Sequence, residues 1–127
     1  MFYRMASRVH SAVLFGLEAT LVDVETDINR GLPQFFVVGL PDAAVQEARE
    51  RVRSSLKHSG ADVPTTKITV NLAPADLKKE GPAFDLPIAV SILIASGQRF
   101  ALPDNILILG ELSLDGTVRP VTGVLPI

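Results

Sequence analysis

The chain has 127 residues, the length of one globular domain. It contains no cysteine, which excludes disulfides, thiolate metal sites and cysteine nucleophiles. Its formal net charge of −2 gives no overall attraction for nucleic acid, so any such binding must be local. The longest apolar stretch, Leu86–Ala95, is far shorter than the roughly 20 residues of a membrane span. No secretory leader is apparent, so we expect a cytoplasmic protein with no membrane contact.

Three β-strands are predicted in the first third of the chain. Ser7–Phe15 and Ala19–Ile28 are expected to form a hairpin, because apolar and acidic residues alternate in the second segment. Gln34–Val38 is a short aromatic and β-branched run between two Gly-Leu-Pro turns, which favours a third strand.

Two helices and a fourth strand follow. Apolar residues at helical spacing predict a helix over Asp42–His58, capped by the Asp42 carboxylate. Lys67–Leu72 alternates polar and apolar residues and is expected to be a strand. Asp85–Ser96 is apolar on nearly every side, so we expect a buried helix with Asp85 as its cap.

The last quarter of the chain predicts a buried strand over Ile106–Leu109. A hairpin then turns at Asp115-Gly116. Because strands cluster first and helices follow, we expect an α+β fold, a two-layer sandwich of sheet and helices. The apolar end Gly123–Ile127 has no polar terminus, so we expect residues 1–127 to be a single domain of a longer protein.

Acidic residues in the second strand are the first candidate site. Asp23, Glu25 and Asp27 lie on one strand face, and three carboxylates can hold a hard cation. Side chains two residues apart are, however, nearly 7 Å apart at about 3.3 Å of rise per residue. A solvated strand face that discourages aggregation is favoured. No phosphate-binding loop is present either, so we expect no metal or cofactor site in this chain.

Basic residues form the second candidate. A row at i, i+4 and i+8 on the first helix, extended by a predicted loop, would suit contacts to DNA phosphates: Arg49, Arg53, Lys57, Lys78 and Lys79. The alternative, favoured for the helix, is that Glu47 and Glu50 pair with arginines one turn away.

A hydrolytic site is the third candidate. His10 and His58 are the two histidines of the chain, and no Gly-x-Ser-x-Gly turn accompanies them. Ser55 and Ser91 remain as unconventional nucleophiles, but both fall within predicted helices without a base nearby in sequence. Structural roles are favoured for all four residues.

The segments Glu80–Leu86 and Gly110–Val121 together resemble the proteolytic domain of Lon-type proteases. In that family a Gly-Pro-Ser-Ala-Gly turn carries the serine nucleophile, and a later hairpin leads to the catalytic lysine. In this chain the serine position falls on Ala83 or an immediate neighbour, and the lysine position falls at or beside Ile127. The resemblance therefore implies a Lon-like fold that lacks both catalytic groups.

The segment from Arg30 to Arg53 resembles still more closely the N-terminal domain of the magnesium-chelatase-like ATPases of the ComM/YifB family. The match to the family signature is nearly continuous from Arg-Gly-Leu-Pro to Glu-Arg-Val-Arg. Membership implies that an AAA+ module, which binds ATP and Mg²⁺, follows this domain in the full-length protein.

The resemblance also implies hexameric rings that act on DNA, promoting branch migration during natural transformation. By this resemblance the chain is a non-catalytic accessory domain serving ring assembly or DNA guidance. Its expected partners are its own AAA+ module, further copies of itself in a hexamer, and DNA. A Lon-like hydrolase with an unconventional nucleophile stays open as the alternative.

Overall fold

The computed structural model describes residues 4–15, 18–61, 66–74, 79, 82–97, 102 and 106–119. Within these residues lie the strands and helices β1 (Arg4–Phe15), β2 (Glu18–Asn29), β3 (Gln34–Val38), α1 (Asp42–His58), β4 (Lys67–Ala73), α2 (Asp85–Ala95), β5 (Glu111–Leu112) and β6 (Val118–Arg119). A 3-10 turn, Pro82–Phe84, leads directly into α2. The expected α+β class is confirmed.

Four strands form one sheet in the order β1-β2-β4-β3. β1 pairs antiparallel with β2 from Arg4↔Asn29 to Phe15↔Glu18, which confirms the predicted hairpin; residues 16 and 17 lie outside the described part. β4 pairs antiparallel with β2 and parallel with β3. The parallel neighbours β3 and β4 are joined through α1, as parallel pairing requires a crossover.

The two faces of this sheet differ in what covers them. Alternate residues of β2, beginning with Val22 and Val24, are buried beneath the helices. Ser91 of α2 donates to Thr26 on this inner face, with 2.7 Å between the hydroxyl oxygens. The opposite, outer face carries the acidic residues of β2 together with Phe36 and Val38 of β3.

Both helices bury the residues that their patterns indicated. In α1 the row Ala48, Val52 and Leu56 is buried in the core that it shares with β3 and α2. In α2 even Ser91 and Asp85 are buried, which confirms the prediction of a helix enclosed on nearly all sides.

The two predicted helix caps are wrong. The N-cap of α1 is Pro41, which has no side chain able to cap, so Asp42 is the first helical residue and not the cap. The Pro41 carbonyl accepts the first bond of the helix, from the Val45 amide at 3.0 Å. The residue that precedes α2 is Phe84, again without a side-chain cap. The carboxylate of Asp85 is held elsewhere, by Arg51 of α1.

The strand predicted over Ile106–Leu109 is also wrong. These residues have no regular secondary structure, and the Ile108 amide donates one hydrogen bond of 2.9 Å to the His10 carbonyl on the edge of β1. Gly110, the next residue, is held at the start of α2 instead of continuing along β1.

The predicted C-terminal hairpin is confirmed as β5 and β6, but its turn is wider than two residues. The Gly116 amide donates to the Ser113 carbonyl at 3.0 Å, and the Ser113 amide donates to the Thr117 carbonyl at 2.8 Å. Gly116 has φ +96, a left-handed conformation that glycine adopts without strain.

Candidate functional site

The turn before α2 occupies the position where the Lon resemblance expects a nucleophile. Ala83, in the middle of the 3-10 turn, has no reactive group, and its carbonyl accepts from the Gly110 amide at 2.8 Å. The Gly110 carbonyl in turn accepts from the Leu86 amide at 2.9 Å. A Cβ added at Gly110 would lie 3.0–3.1 Å from side-chain atoms of Leu86 and Val118, so only glycine packs here without displacement. Gly110 therefore joins the turn to the first residues of α2 through two backbone hydrogen bonds. Residue 127, where the lysine was expected, lies outside the described part.

A buried ion pair links the two helices beside this turn. The Asp85 carboxylate is 1% exposed and accepts from Arg51 Nε at 2.5 Å, from Arg51 Nη2 at 3.1 Å and from the Leu112 amide at 3.2 Å. Burial raises the pKa of Asp85, opposed by these donors, while the hydrogen bond to Asp85 raises the pKa of Arg51. The pair thus joins α1, α2 and β5, and neither group is free for acid–base chemistry.

A cleft of about 270 Å³ opens between α1 and the turn. Its lining mixes apolar residues, among them Leu40 and Phe84, with charged ones, among them Glu47 and Glu111. Its described lining includes no serine, threonine, lysine or histidine. The serine–lysine or serine–histidine pair of a hydrolase is therefore not found among the described residues of this cleft.

The two serines considered as unconventional nucleophiles are both buried. Ser55 donates to the Ser113 carbonyl at 2.5 Å, and Ser91 donates to Thr26. Their hydroxyls therefore serve the attachment of the β5–β6 hairpin and of α2.

A serine and a histidine do approach one another at the end of α1, at Ser54 and His58. Ser54 Oγ lies 3.4 Å from His58 Nδ1, but Nδ1 is 2.9 Å from the Ser54 carbonyl, which can only accept. Nδ1 therefore carries its proton and cannot take one from Ser54, whose hydroxyl donates to Leu114 O at 2.8 Å.

The described basic residues proposed for DNA contact do not all lie free on the surface. Arg49 donates to the Phe35 carbonyl on β3 at 3.0 Å and to Gln46 at 2.6 Å. Arg53 lies 3.9 Å from Glu50 and 5.7 Å from the centroid of the Phe35 ring.

The remaining candidates differ in exposure. Lys57 is exposed in the last turn of α1, and Lys78 lies outside the described residues. Lys79 is 1% exposed, and its ammonium donates to the Pro74 carbonyl, so it lies inside the domain instead of on its surface. The expectation that Glu47 and Glu50 pair with helix arginines is confirmed, since Arg51 lies 3.7 Å from Glu47.

The acidic residues of β2 have partners of their own on the outer face. Asp23 is 2.8 Å from His10 Nδ1, Glu25 is 3.1 Å from Arg8 Nη2, and Asp27 accepts from an asparagine two residues away. Across the described residues, no three His, Cys, Asp or Glu side chains are placed to hold a metal.

Sequence reasoning missed Arg51 as a central residue, although it follows Ala48 by three positions and so borders the apolar row of α1. It also missed the exposed apolar residues around β3, among them Leu32, which is 79% exposed. These residues could be recognised as a surface from the position of β3 at the edge of the sheet. That position is known only when the order of all four strands is known.

The four-stranded sheet and its two covering helices define a mixed α+β domain. The sequence profile described as "Subunit ChlI of Mg-chelatase" matches residues 24–127. The chain belongs to this magnesium-chelatase-like family. Its 48% identity to relatives named YifB and ComM supports the same assignment.

Three relatives illustrate the similarity. The uncharacterized protein YifB of Escherichia coli is 48% identical over 120 residues, which cover 94% of this chain and 24% of the relative. The competence protein ComM of Haemophilus influenzae is 48% identical over 119 residues, 93% of this chain and 23% of that protein. The uncharacterized protein Rv2897c of Mycobacterium tuberculosis is 46% identical, with 94% and 24% covered. The chain thus spans about a quarter of the length of these relatives. None of the helices in the described residues is long and apolar enough to cross a membrane.

Proposed function

We propose that this chain is a non-catalytic, Lon-like accessory domain of a ComM/YifB-type AAA+ ATPase that acts in DNA processing. The observation that supports this most directly is the junction at Ala83. The position of the expected nucleophile holds a methyl group, its carbonyl is bonded to Gly110, and the adjacent Asp85 is neutralised by Arg51. Such a junction can hold elements together but has no group to attack a substrate.

The wider setting of this domain is part of the proposal. The full-length protein would bind ATP and Mg²⁺ in a following AAA+ module, form a hexameric ring in the cytoplasm, and promote branch migration of DNA in natural transformation. A relative that bears the name competence protein agrees with that setting.

Ring assembly is better supported than DNA guidance as the task of this domain. Arg49 is engaged with the edge of β3, and Arg53 with Glu50 and an aromatic ring, so both cations already have internal partners. Among the described candidates Lys57 remains, and one exposed lysine offers little of the basic surface that phosphate binding uses.

Two measurements on the same preparation separate these tasks. Fluorescence anisotropy with single- and double-stranded DNA at low salt tests guidance, which predicts binding that weakens as salt rises and as Arg53→Ala and Lys57→Ala are introduced. No binding at low salt rejects direct contact and leaves assembly.

Multi-angle light scattering over a concentration range tests assembly. A molar mass that rises with concentration is expected, and a constant monomer mass would contradict a contribution to the ring. Incubation with casein and an ester substrate tests the hydrolase alternative, since clear turnover would contradict a non-catalytic domain.

A further inference from the structure

We propose that an exposed corner of the sheet receives the β5–β6 hairpin tip of a second copy of this chain. The corner, called here the β3 patch, consists of Leu32, Phe36 and Val38 with the flanking cations Arg30 and Lys67. The hairpin tip consists of Leu114, Asp115 and Val118. This inference rests on the ring-assembly part of the proposed function and names the surfaces that would meet.

The centre of the β3 patch is apolar. Leu32 is 79% exposed, Phe36 41% and Val38 51%; Phe36 and Val38 are two residues apart on β3, and Leu32 lies in the turn that leads into this strand. Phe35 and Val37 point into the core, so Phe36 and Val38 project from the outer face, opposite the helices. Adjacent exposed apolar side chains are typical of interaction sites.

The margin of the β3 patch is positively charged. Lys67 Nζ lies 5.8 Å from the centroid of the Phe36 ring, and Arg30 is exposed at the entry to the Gly-Leu-Pro turn. Among the ion pairs of the described residues, none includes Lys67 or Arg30. The patch is therefore complementary to an apolar surface that bears a carboxylate.

The hairpin tip has that chemistry. Leu114 and Val118 are 57% and 50% exposed, and the exposed Asp115 lies between them in sequence. Asp115 Oδ1 accepts from the Thr117 amide at 3.0 Å, which lowers the pKa of Asp115 and keeps its charge. Ser54 and Ser55 hold the tip against α1 through the carbonyls of Leu114 and Ser113, so its shape is fixed before any contact.

The two surfaces lie on different sides of the domain. The β3 patch is on the outer face of the sheet, whereas the hairpin tip rests on the last turns of α1.

Pairing of the patch with itself would bring Lys67 and Arg30 of two copies together, and the repulsion of these like charges disfavours that arrangement. A contact between unlike surfaces is heterologous and generates a ring if its rotation closes. With few apolar residues on each side, such a contact is weak singly and gains strength in a closed ring.

The absence of cysteine from the chain permits a sharp test by cross-linking. Leu32→Cys and Leu114→Cys place single thiols on the two exposed surfaces. With a short bismaleimide, we expect dimers when the two variants are mixed, little product from either variant alone, and a ladder of larger species from the double variant. Leu21→Cys, 55% exposed on the outer face of β2, mixed with Leu114→Cys is the matched control and should give little product.

A charge exchange checks the same contact without cysteines. Lys67→Glu should weaken self-association by about two- to fivefold, the effect of an exposed ion pair, and Asp115→Lys in the partner copy should restore it.

Each other result has a defined meaning. Efficient cross-linking of Leu32→Cys alone would show that the patch pairs with itself and would overturn the inference. Self-association by light scattering without any cross-link in the mixture would overturn the pairing of these two surfaces, whereas the assembly role under the proposed function would stand. A constant monomer mass together with no cross-link would count against both.

Discussion

The ion pair between Arg51 and Asp85 should be the strongest single link between α1, α2 and β5. Arg51→Met removes the guanidinium but keeps most of the apolar stem. Asp85 is 1% exposed. Without the guanidinium it would keep one of the three donors described above, the Leu112 amide. An uncompensated carboxylate would be left in the core.

The size of the effect follows from burial. Removing one partner of a fully buried pair costs about 3–5 kcal/mol of unfolding free energy. The Arg51 side chain is 22% exposed, so water reaches part of the pair, and we expect a cost below that range, about 2–3 kcal/mol. Adding Asp85→Asn to Arg51→Met removes the buried charge while keeping an oxygen for the Leu112 amide. This double variant should regain at least 1 kcal/mol, or roughly half of the loss.

Urea unfolding across a pH series measures this directly. Burial already raises the pKa of Asp85, and loss of the guanidinium raises it further. Because the folded pKa then exceeds the unfolded one, the folded state is favoured where Asp85 is protonated. The cost of Arg51→Met should therefore be smallest near or below the ordinary carboxyl pKa of 3.8 and grow as the pH rises through the folded pKa.

Two results would refute this reasoning. One is a cost of Arg51→Met that stays the same from acid to neutral pH. The other is a double variant that is no more stable at neutral pH than Arg51→Met alone.

Three further predictions concern packing and the sheet edge. Gly110→Ala should cost about 1–3 kcal/mol in urea unfolding, because its Cβ would lie 3.0 Å from a leucine side chain; an unchanged midpoint would contradict the close approach. Ile92→Ala, at a fully buried position of α2, should cost about 2–5 kcal/mol and Ile92→Val about 0.5–1.5 kcal/mol, measured by thermal unfolding; equal effects would argue against a tightly packed core. Arg49→Ala should cost about 1 kcal/mol through the lost bond to the Phe35 carbonyl, and the exposed Arg53→Ala less; the reverse order in chemical unfolding would contradict the edge contact.

The parts of the fold that local pattern determines were predictable. Gln34–Val38 and Asp42–His58 have the predicted bounds, because a bounded apolar run and a helical row are properties of neighbouring residues. The parts set by distant contacts were not. Asp85 has the sequence features of a helix cap, yet its carboxylate is captured by an arginine 34 positions away.

The candidate sites show the same division. Pairing of Glu47 and Glu50 with helix arginines follows from helical spacing and was predicted. Lys79 is buried where its side chain approaches Gly39, 40 positions earlier in the chain, and no local pattern indicates that contact. Surfaces such as the β3 patch likewise emerge only when strand order is known.

Reaction with a fluorophosphonate, followed by intact-mass spectrometry, most directly tests whether this scaffold lacks an activated serine. The account predicts no adduct on the folded chain under conditions that fully label a serine hydrolase. A single adduct on Ser54, Ser55 or Ser91 that disappears on unfolding would contradict it.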